Sequence, residues 1–254
     1  MRADLEVLPS AGVLADVAAG QFVAAAGDAI HARGAFVVAL SGGSTPRRTY
    51  ERLAMEPLGS RVMWSRVQVL WGDERCVPPD HGESNYRMAR ETLLDRVPVP
   101  AANVHRIHGE DDPAAAAALY EATLRALLKT PAGPPRTAPG ARIDLVLLGL
   151  GDDGHTASLF PGSAAAHERT RWVMAEYAAA ASMWRVTLTL AVINAAAEVL
   201  FLVSGGAKAG VVRRVLEGPY RPQELPAQAI APSNGRVRWC VDAAAAAELG
   251  KGSP

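Results

Sequence analysis

His155 closes the run Gly149-Leu150-Gly151-Asp152-Asp153-Gly154-His155. An imidazole titrates near ~6.5, so it can take a proton from water at neutral pH. Asp152 and Asp153 stand just before it, and a neighbouring carboxylate can fix the tautomer of the ring. A loop histidine can equally serve only the backbone, so the residue is a candidate general base and no more at this stage. The run also fits G-x-G-x-x-G. That fingerprint belongs in the first strand–helix unit of a dinucleotide-binding fold. Here it falls past residue 140, and Pro161 comes too soon for a long helix entering from the turn.

Three further clusters carry chemistry. Ser41-Gly42-Gly43-Ser44-Thr45-Pro46 combines two glycines, which let a ligand approach the backbone, with hydroxyls and an oncoming helix N-terminus. Such a loop suits a phosphate or carboxylate, although a tight turn alone could use the same residues. Ser-Gly-Gly recurs at 204–206, with Lys208 two residues on. Of 26 basic residues only Lys129, Lys208 and Lys251 are lysines. Lys208 falls in the expected first turn of a helix, where the macrodipole disfavours a cation, so a nearby anion would account for its place. In Gly72-Asp73-Glu74-Arg75, alternate side chains of an extended chain point opposite ways. Asp73 and Arg75 can therefore share the site while Glu74 faces into the structure; a surface salt-bridge cluster is the competing reading. Arg185 opens a later strand and can reach the same rim. No Walker loop, G-x-S-x-G, H-E-x-x-H or C-x-x-C occurs. His105 and His108 lack clustered partner ligands, so no metal site is expected.

The elements that must position these residues alternate. Residues 10–33 read as an amphipathic helix through Val13, Val17, Phe22, Val23 and Ile30, closed by Gly34. Short apolar runs over 36–40, 67–71, 143–148, 199–203 and 237–241 read as strands. A strand with one polar face is expected over 185–190. Helices are expected over 84–96, 113–129 and 191–197, after Pro46, after Lys208 and after Asp242. Pro131 to Gly140 reads as a turn-rich connector. Strands apolar throughout and separated by helices imply an α/β fold with a mostly parallel sheet, helices on both faces. In such sheets ligands bind beyond the strands' carboxyl ends, where every cluster above falls.

Composition narrows the class. The 254 residues carry 26 Lys and Arg against 26 Asp and Glu, so a nucleic-acid partner is not expected. No run of about 18 uninterrupted apolar residues occurs, and no membrane partner is expected. Residues 1–9 lack a signal-peptide pattern. Cys76 and Cys240 read as free thiols in a reducing compartment, hence a cytoplasmic protein. The chain is read as a single domain over residues 1–254. Oligomeric state is left open, with a monomer compatible.

Leu40 to Pro46, Trp71 to Arg75, Glu83-Ser84-Asn85-Tyr86, Gly149 to Pro161, Arg185-Val186-Thr187 and Ser204 to Lys208 together resemble the 6-phosphogluconolactonase branch of the glucosamine-6-phosphate isomerase/6-phosphogluconolactonase family. The resemblance covers essentially the whole chain. It implies a modified Rossmann-like three-layer sandwich. It further implies hydrolysis of 6-phospho-D-glucono-1,5-lactone in the oxidative pentose phosphate pathway without metal or organic cofactor. By that resemblance Gly42, Gly43, Ser44, Thr45, Arg185 and Lys208 would hold the phosphate. His155 would be the general base, Arg75 would stabilise anionic charge, and Asp73 would orient His155, Arg75 or a sugar hydroxyl. The related deaminases are the alternative. They carry a catalytic Glu before Pro where this sequence has Phe160, and an aromatic residue where it has Arg75. A non-catalytic sugar-phosphate-binding regulator is a second alternative, but no basic segment here would supply a DNA-binding domain.

Overall fold

The computed structural model describes residues 4–130, 133–138 and 140–250. In chain order the elements are β1 (Asp4–Leu8), α1 (Ala11–Arg33), β2 (Phe36–Leu40), α2 (Ser44–Leu53), β3 (Val67–Trp71), β4 (Asp73–Arg75), α3 (Asn85–Thr92) and α4 (Pro113–Leu127). They continue with β5 (Leu145–Leu148), α5 (Ala164–His167), β6 (Val173–Ala178), β7 (Met183–Leu188), α6 (Leu190–Ile193), β8 (Glu198–Val203), α7 (Ala209–Leu216) and β9 (Arg236–Asp242).

Runs such as Leu145–Leu148 and Val199–Val203 have no polar face, so they are stable only when covered on both sides. They form a six-stranded sheet in the order β1-β9-β8-β5-β2-β3, and each pairing is parallel. The helices lie around it, as the α/β pattern predicted. The neighbouring strands β8, β5, β2 and β3 end in Ser204, Gly149, Ser41 and Gly72. Because these strands are parallel and adjacent, the four clusters are delivered to one rim.

A second sheet was not foreseen. β4, β7 and β6 form a three-stranded antiparallel layer. Gly72 is the junction between the layers. Its N–H donates to Leu40 O at 2.8 Å in the parallel sheet, and its C=O accepts from Leu188 N at 2.8 Å in the antiparallel one. The strand expected over 185–190 thus lies at Met183–Leu188 and runs against β4, with Arg75 opposite Arg185.

Other expectations shift for physical reasons. α1 buries Leu14, Ala15, Ala18, Ala19, Phe22 and Ala26, whereas Val13 is 38% exposed. Its packed stripe is largely alanine, which lets helix and sheet approach closely. By length and composition α1 could span a bilayer, yet this face is packed in the core. The helix expected over 84–96 ends at Thr92 and is followed by a 3₁₀ turn at Leu94–Arg96. α7 starts only at Ala209, after a 3₁₀ turn over Gly206–Lys208, so Lys208 is the N-cap residue. The helix expected over 191–197 is the single turn Leu190–Ile193. Among the described residues no helix follows Asp242: residues 243–248 form turns, and the Asp242 carboxylate accepts from Ala245 N. β1, β4 and β6 have no counterpart among the strands expected from sequence. Of the connector expected over 131–140, residues 131, 132 and 139 lie outside the described residues, as do residues 1–3 and Lys251.

Candidate active site

A cavity of about 890 Å³ opens at the carboxyl rim of the parallel sheet. All nine residues singled out for catalysis or anion binding line it: Gly42, Gly43, Ser44, Thr45, Asp73, Arg75, His155, Arg185 and Lys208.

The two Ser-Gly-Gly turns meet through Thr45 Oγ1 and Ser204 Oγ, 2.8 Å apart. Gly43 and Gly205 have φ of 104° and 98°, a region that L side chains rarely adopt, so both turns need glycine there. The first turn is anchored below by Tyr50, whose hydroxyl accepts from Ser41 N and donates to Ser41 O. The second is anchored by Asp242, whose carboxylate accepts from Gly205 N. Lys208 Nζ sits 2.5 Å from Asp152 Oδ1, so the anion beside this helix-start lysine is Asp152, from the histidine loop.

His155 is held on three sides. Its Nδ1 lies 2.5 Å from Asp153 Oδ1, which also accepts from His155 N at 3.0 Å. The Phe160 ring sits against the imidazole with centroids 4.7 Å apart. Gly151 closes the remaining face: a Cβ there would overlap the imidazole, so only glycine fits. Burial by itself would raise the Asp153 carboxyl, but the backbone N–H and ring of His155 reverse this and hold it below its ordinary value. An ionised carboxylate can only accept. Nδ1 therefore carries a proton, and in the neutral ring this tautomer leaves Nε2 with the lone pair a general base needs.

Arg75 and Arg185 stand side by side on β4 and β7. Burial, and then the adjacent Arg75 charge, push the Arg185 guanidinium down from its ordinary value. Arg75 Nη1 donates to Glu83 O at 2.5 Å. The Nε atoms of both arginines are buried without a hydrogen-bond partner among the described residues. Buried donors left unpaired are costly, and two adjacent guanidinium groups repel. An anion between them would answer both costs.

Glu74 points inward, as the alternation predicted. Only 2% exposed, its carboxylate accepts from Arg75 N, Asn85 N, Tyr86 N and Ser84 Oγ and so ties β4 to the start of α3. Asp73 was expected to orient His155, Arg75 or a sugar hydroxyl. Its carboxylate accepts from Ser158 Oγ at 2.7 Å and Asn85 Nδ2 at 3.3 Å, and among the described residues it hydrogen-bonds to neither His155 nor Arg75, so of the three expected partners the sugar hydroxyl remains. Orientation of the imidazole belongs to Asp153, two residues away in the same loop. His105 and His108 serve separate neighbours, Gln68 and Asp111.

Ser204, from the second Ser-Gly-Gly turn, lines the cavity too, as do Asn85, Ser158 and the Tyr177–Ala181 hairpin tip, which received no role from sequence. Asn85 had a signal, following Ser84, whose side chain caps α3 through Arg87 N. The alanines at 178–181 offer none, since nothing distinguishes them from the alanines of a helix.

An α/β sheet with two converging Ser-Gly-Gly turns, two adjacent arginines whose Nε atoms have no partner among the described residues, and an oriented histidine suits catalysis on a small anionic substrate. The chain belongs to the glucosamine-6-phosphate isomerases/6-phosphogluconolactonase family, whose pattern matches residues 9–239. It is 40% identical over 252 residues to a 6-phosphogluconolactonase of Nostoc, covering 98% of this chain and 99% of that one. To the 6-phosphogluconolactonase of Haemophilus influenzae it is 34% identical, over 82% and 85% of the two chains. The structure of 6-phosphogluconolactonase from Trypanosoma cruzi superposes with a TM-score of 0.84 at 31% identity, covering 98% of this chain and 97% of that one. A monomeric glucosamine-6-phosphate deaminase shares the fold at 22% identity, with a TM-score of 0.79.

Proposed function

We propose that this protein hydrolyses 6-phospho-D-glucono-1,5-lactone to 6-phosphogluconate. The observation that carries this reading is the geometry of His155: Nδ1 is tied to Asp153, Nε2 has no protein partner among the described residues, and the ring lines one cavity with the Ser-Gly-Gly turns and with two arginines whose Nε atoms have no partner there. Gly42, Gly43, Ser44 and Thr45 hold the 6-phosphate with Arg185 and Lys208. Lys208 then exchanges Asp152 for a phosphate oxygen. His155 Nε2 takes a proton from water as its oxygen bonds to C1 of the lactone. The carbonyl electrons move onto oxygen, and Arg75 stabilises the resulting oxyanion. Collapse of this intermediate breaks the bond from C1 to the ring oxygen, which receives the proton from His155. Asp73, bound to Ser158 and Asn85, offers its remaining lone pairs to a sugar hydroxyl. Each step uses groups of the protein itself, backbone and side chain.

Phe160 supports lactone hydrolysis over deamination. A phenyl ring moves no proton, and here it packs on the imidazole. The substrate is a small phosphorylated sugar lactone, neither nucleic acid nor membrane. We read the chain as a single domain over 1–254 working in the cytoplasm, on the oxidative pentose phosphate route. Both cysteines are free, which suits a reducing compartment.

Acid release from freshly prepared 6-phosphogluconolactone, against an enzyme-free blank, tests the reading. Glucosamine 6-phosphate is run beside it for ammonia release. Acid release well above the blank with no ammonia is expected; ammonia release, or neither product, would overturn it.

A further inference from the structure

We propose that Asn85 is a positioning residue that sets the anion loop at a fixed distance from the histidine loop, and thereby makes the enzyme selective for the phosphorylated lactone. The inference rests on the reading that the loop over residues 41–45 holds the phosphate.

Asn85 is 2% exposed and lies between two parts of the site. On one side its Nδ2 donates to Asp73 O at 2.9 Å and to Asp73 Oδ1 at 3.3 Å. On the other its Oδ1 is buried without a hydrogen-bond partner among the described residues and fills the space a side chain at position 42 would occupy. Rotating the amide by a half-turn would set its oxygen against both Asp73 oxygens, so the donor has to face Asp73. The acceptor is thereby left against Gly42, where only a Cα–H can meet it. A buried oxygen without an N–H or O–H donor is costly, and in native proteins such a group calls for a reason. The reason here is contact. Asn85 bars the loop from moving toward α3, and Gly42 has no side chain because the amide stands in its place.

The restraint continues beyond Asn85. Asp73 Oδ2 accepts from Ser158 Oγ, three residues past His155 in the same loop. Gly42, Asn85, Asp73 and Ser158 therefore link the phosphate loop to the segment that carries the base. The covalent skeleton of the substrate sets the distance between its phosphate and its carbonyl carbon. Only a protein that fixes the matching distance gains rate from the phosphate, because misplacement by about an ångström can cost a hundredfold.

The test is the ratio of kcat/KM for 6-phosphogluconolactone to that for unphosphorylated glucono-1,5-lactone. Asn85→Ala is expected to lower this ratio about ten- to a hundredfold. Gly42→Ala, whose methyl group strikes the amide, should lower it as well. The double variant Gly42→Ala/Asn85→Ala should exceed Gly42→Ala alone, because the methyl group then has room. A purely structural role for Asn85 would depress both substrates together and leave the ratio within about twofold of wild type, which overturns the inference. Multiplicative losses in the double variant, with no relief, overturn it too. Should the alanine variant fail to fold, Asn85→Ser alone and combined with Gly42→Ala supplies the same comparison. A wild-type enzyme with no preference for the phosphorylated lactone would instead refute the phosphate-loop reading, an outcome distinct from either failure above.

Discussion

His155 does its proposed work only as the tautomer with a free Nε2, and a single carboxylate sets that state. His155→Ala should lower kcat about 10²–10⁴-fold while KM moves little, as initial-rate kinetics would show. Asp153→Asn should fall short of that loss but act on the same parameter, since an amide can donate to Nδ1 and favour the wrong tautomer. Unchanged turnover in either variant removes that residue from the mechanism. The neighbouring thiol behaves differently. Cys76, beside Arg75, is pushed up to about 11 by burial and the Glu74 charge, against a smaller opposing pull from Arg185. The thiolate is the nucleophile in alkylation, so iodoacetamide at pH 8 should label Cys76 far more slowly than an ordinary thiol. Mass spectrometry across pH 8 to 11 should show labelling rise steeply toward the top of that range, and fast labelling at pH 8 would contradict the burial.

Elements succeed or fail here on packing. Leu147 in β5 is 1% exposed and lies in a strand paired on one side with β2 and on the other with β8. Leu147→Ala should cost about 2–5 kcal/mol, and a calorimetric Tm should fall by roughly 5–15 °C. A shift of a degree or less would mean that the sheet centre is not the tightly packed layer described. Surface pairs matter mainly through pH. The Arg106 guanidinium meets Glu110 through two hydrogen bonds of 2.6 and 2.8 Å and, against the opposing effect of burial, holds its carboxyl down to about 2. A depressed carboxyl contributes stability above its ordinary value of 4.5, and that contribution is lost as pH falls toward 2. Glu110→Gln should therefore melt below wild type at pH 6, and the gap should close by pH 2. A gap independent of pH would show that the pair contributes nothing through ionisation.

At the scale of the molecule, the neutral total conceals local asymmetry. Arg75, Arg185 and Lys208 gather at one rim, while 26 acidic residues balance 26 basic ones overall. A dianionic substrate is drawn by the local field, not the net charge. The screening length falls from about 30 Å at 0.01 M salt to about 10 Å at 0.1 M. Raising salt across that range should lower kcat/KM for the phosphorylated lactone and leave the unphosphorylated lactone nearly unaffected. Equal salt response of the two substrates would argue against the cationic rim as the phosphate site.

Much of this arrangement is written in local sequence. Apolar runs of four to six residues that end in glycine turns are too short for helices and read as buried strands, and the turns at Gly43 and Gly205 demand glycine, so both the parallel sheet and the rim clusters are legible from residue types and spacing. The inward turn of Glu74 follows from simple alternation. Other features depend on contacts between residues far apart in the chain. That Arg75 meets Arg185 comes from β4 and β7 pairing antiparallel, in a register that no local pattern encodes. Lys208 reaches Asp152, 56 residues earlier, because the segments after the adjacent parallel strands β8 and β5 converge, and Asp73 reaches Ser158, 85 residues later, because the segments after β3 and β5 meet at the same rim. Local steric and hydrophobic preferences determined which residues stand at the rim. Tertiary packing alone decided which of them touch, because hydrogen bonds and ion pairs are chosen by distance in space, and the folded sheet sets that distance.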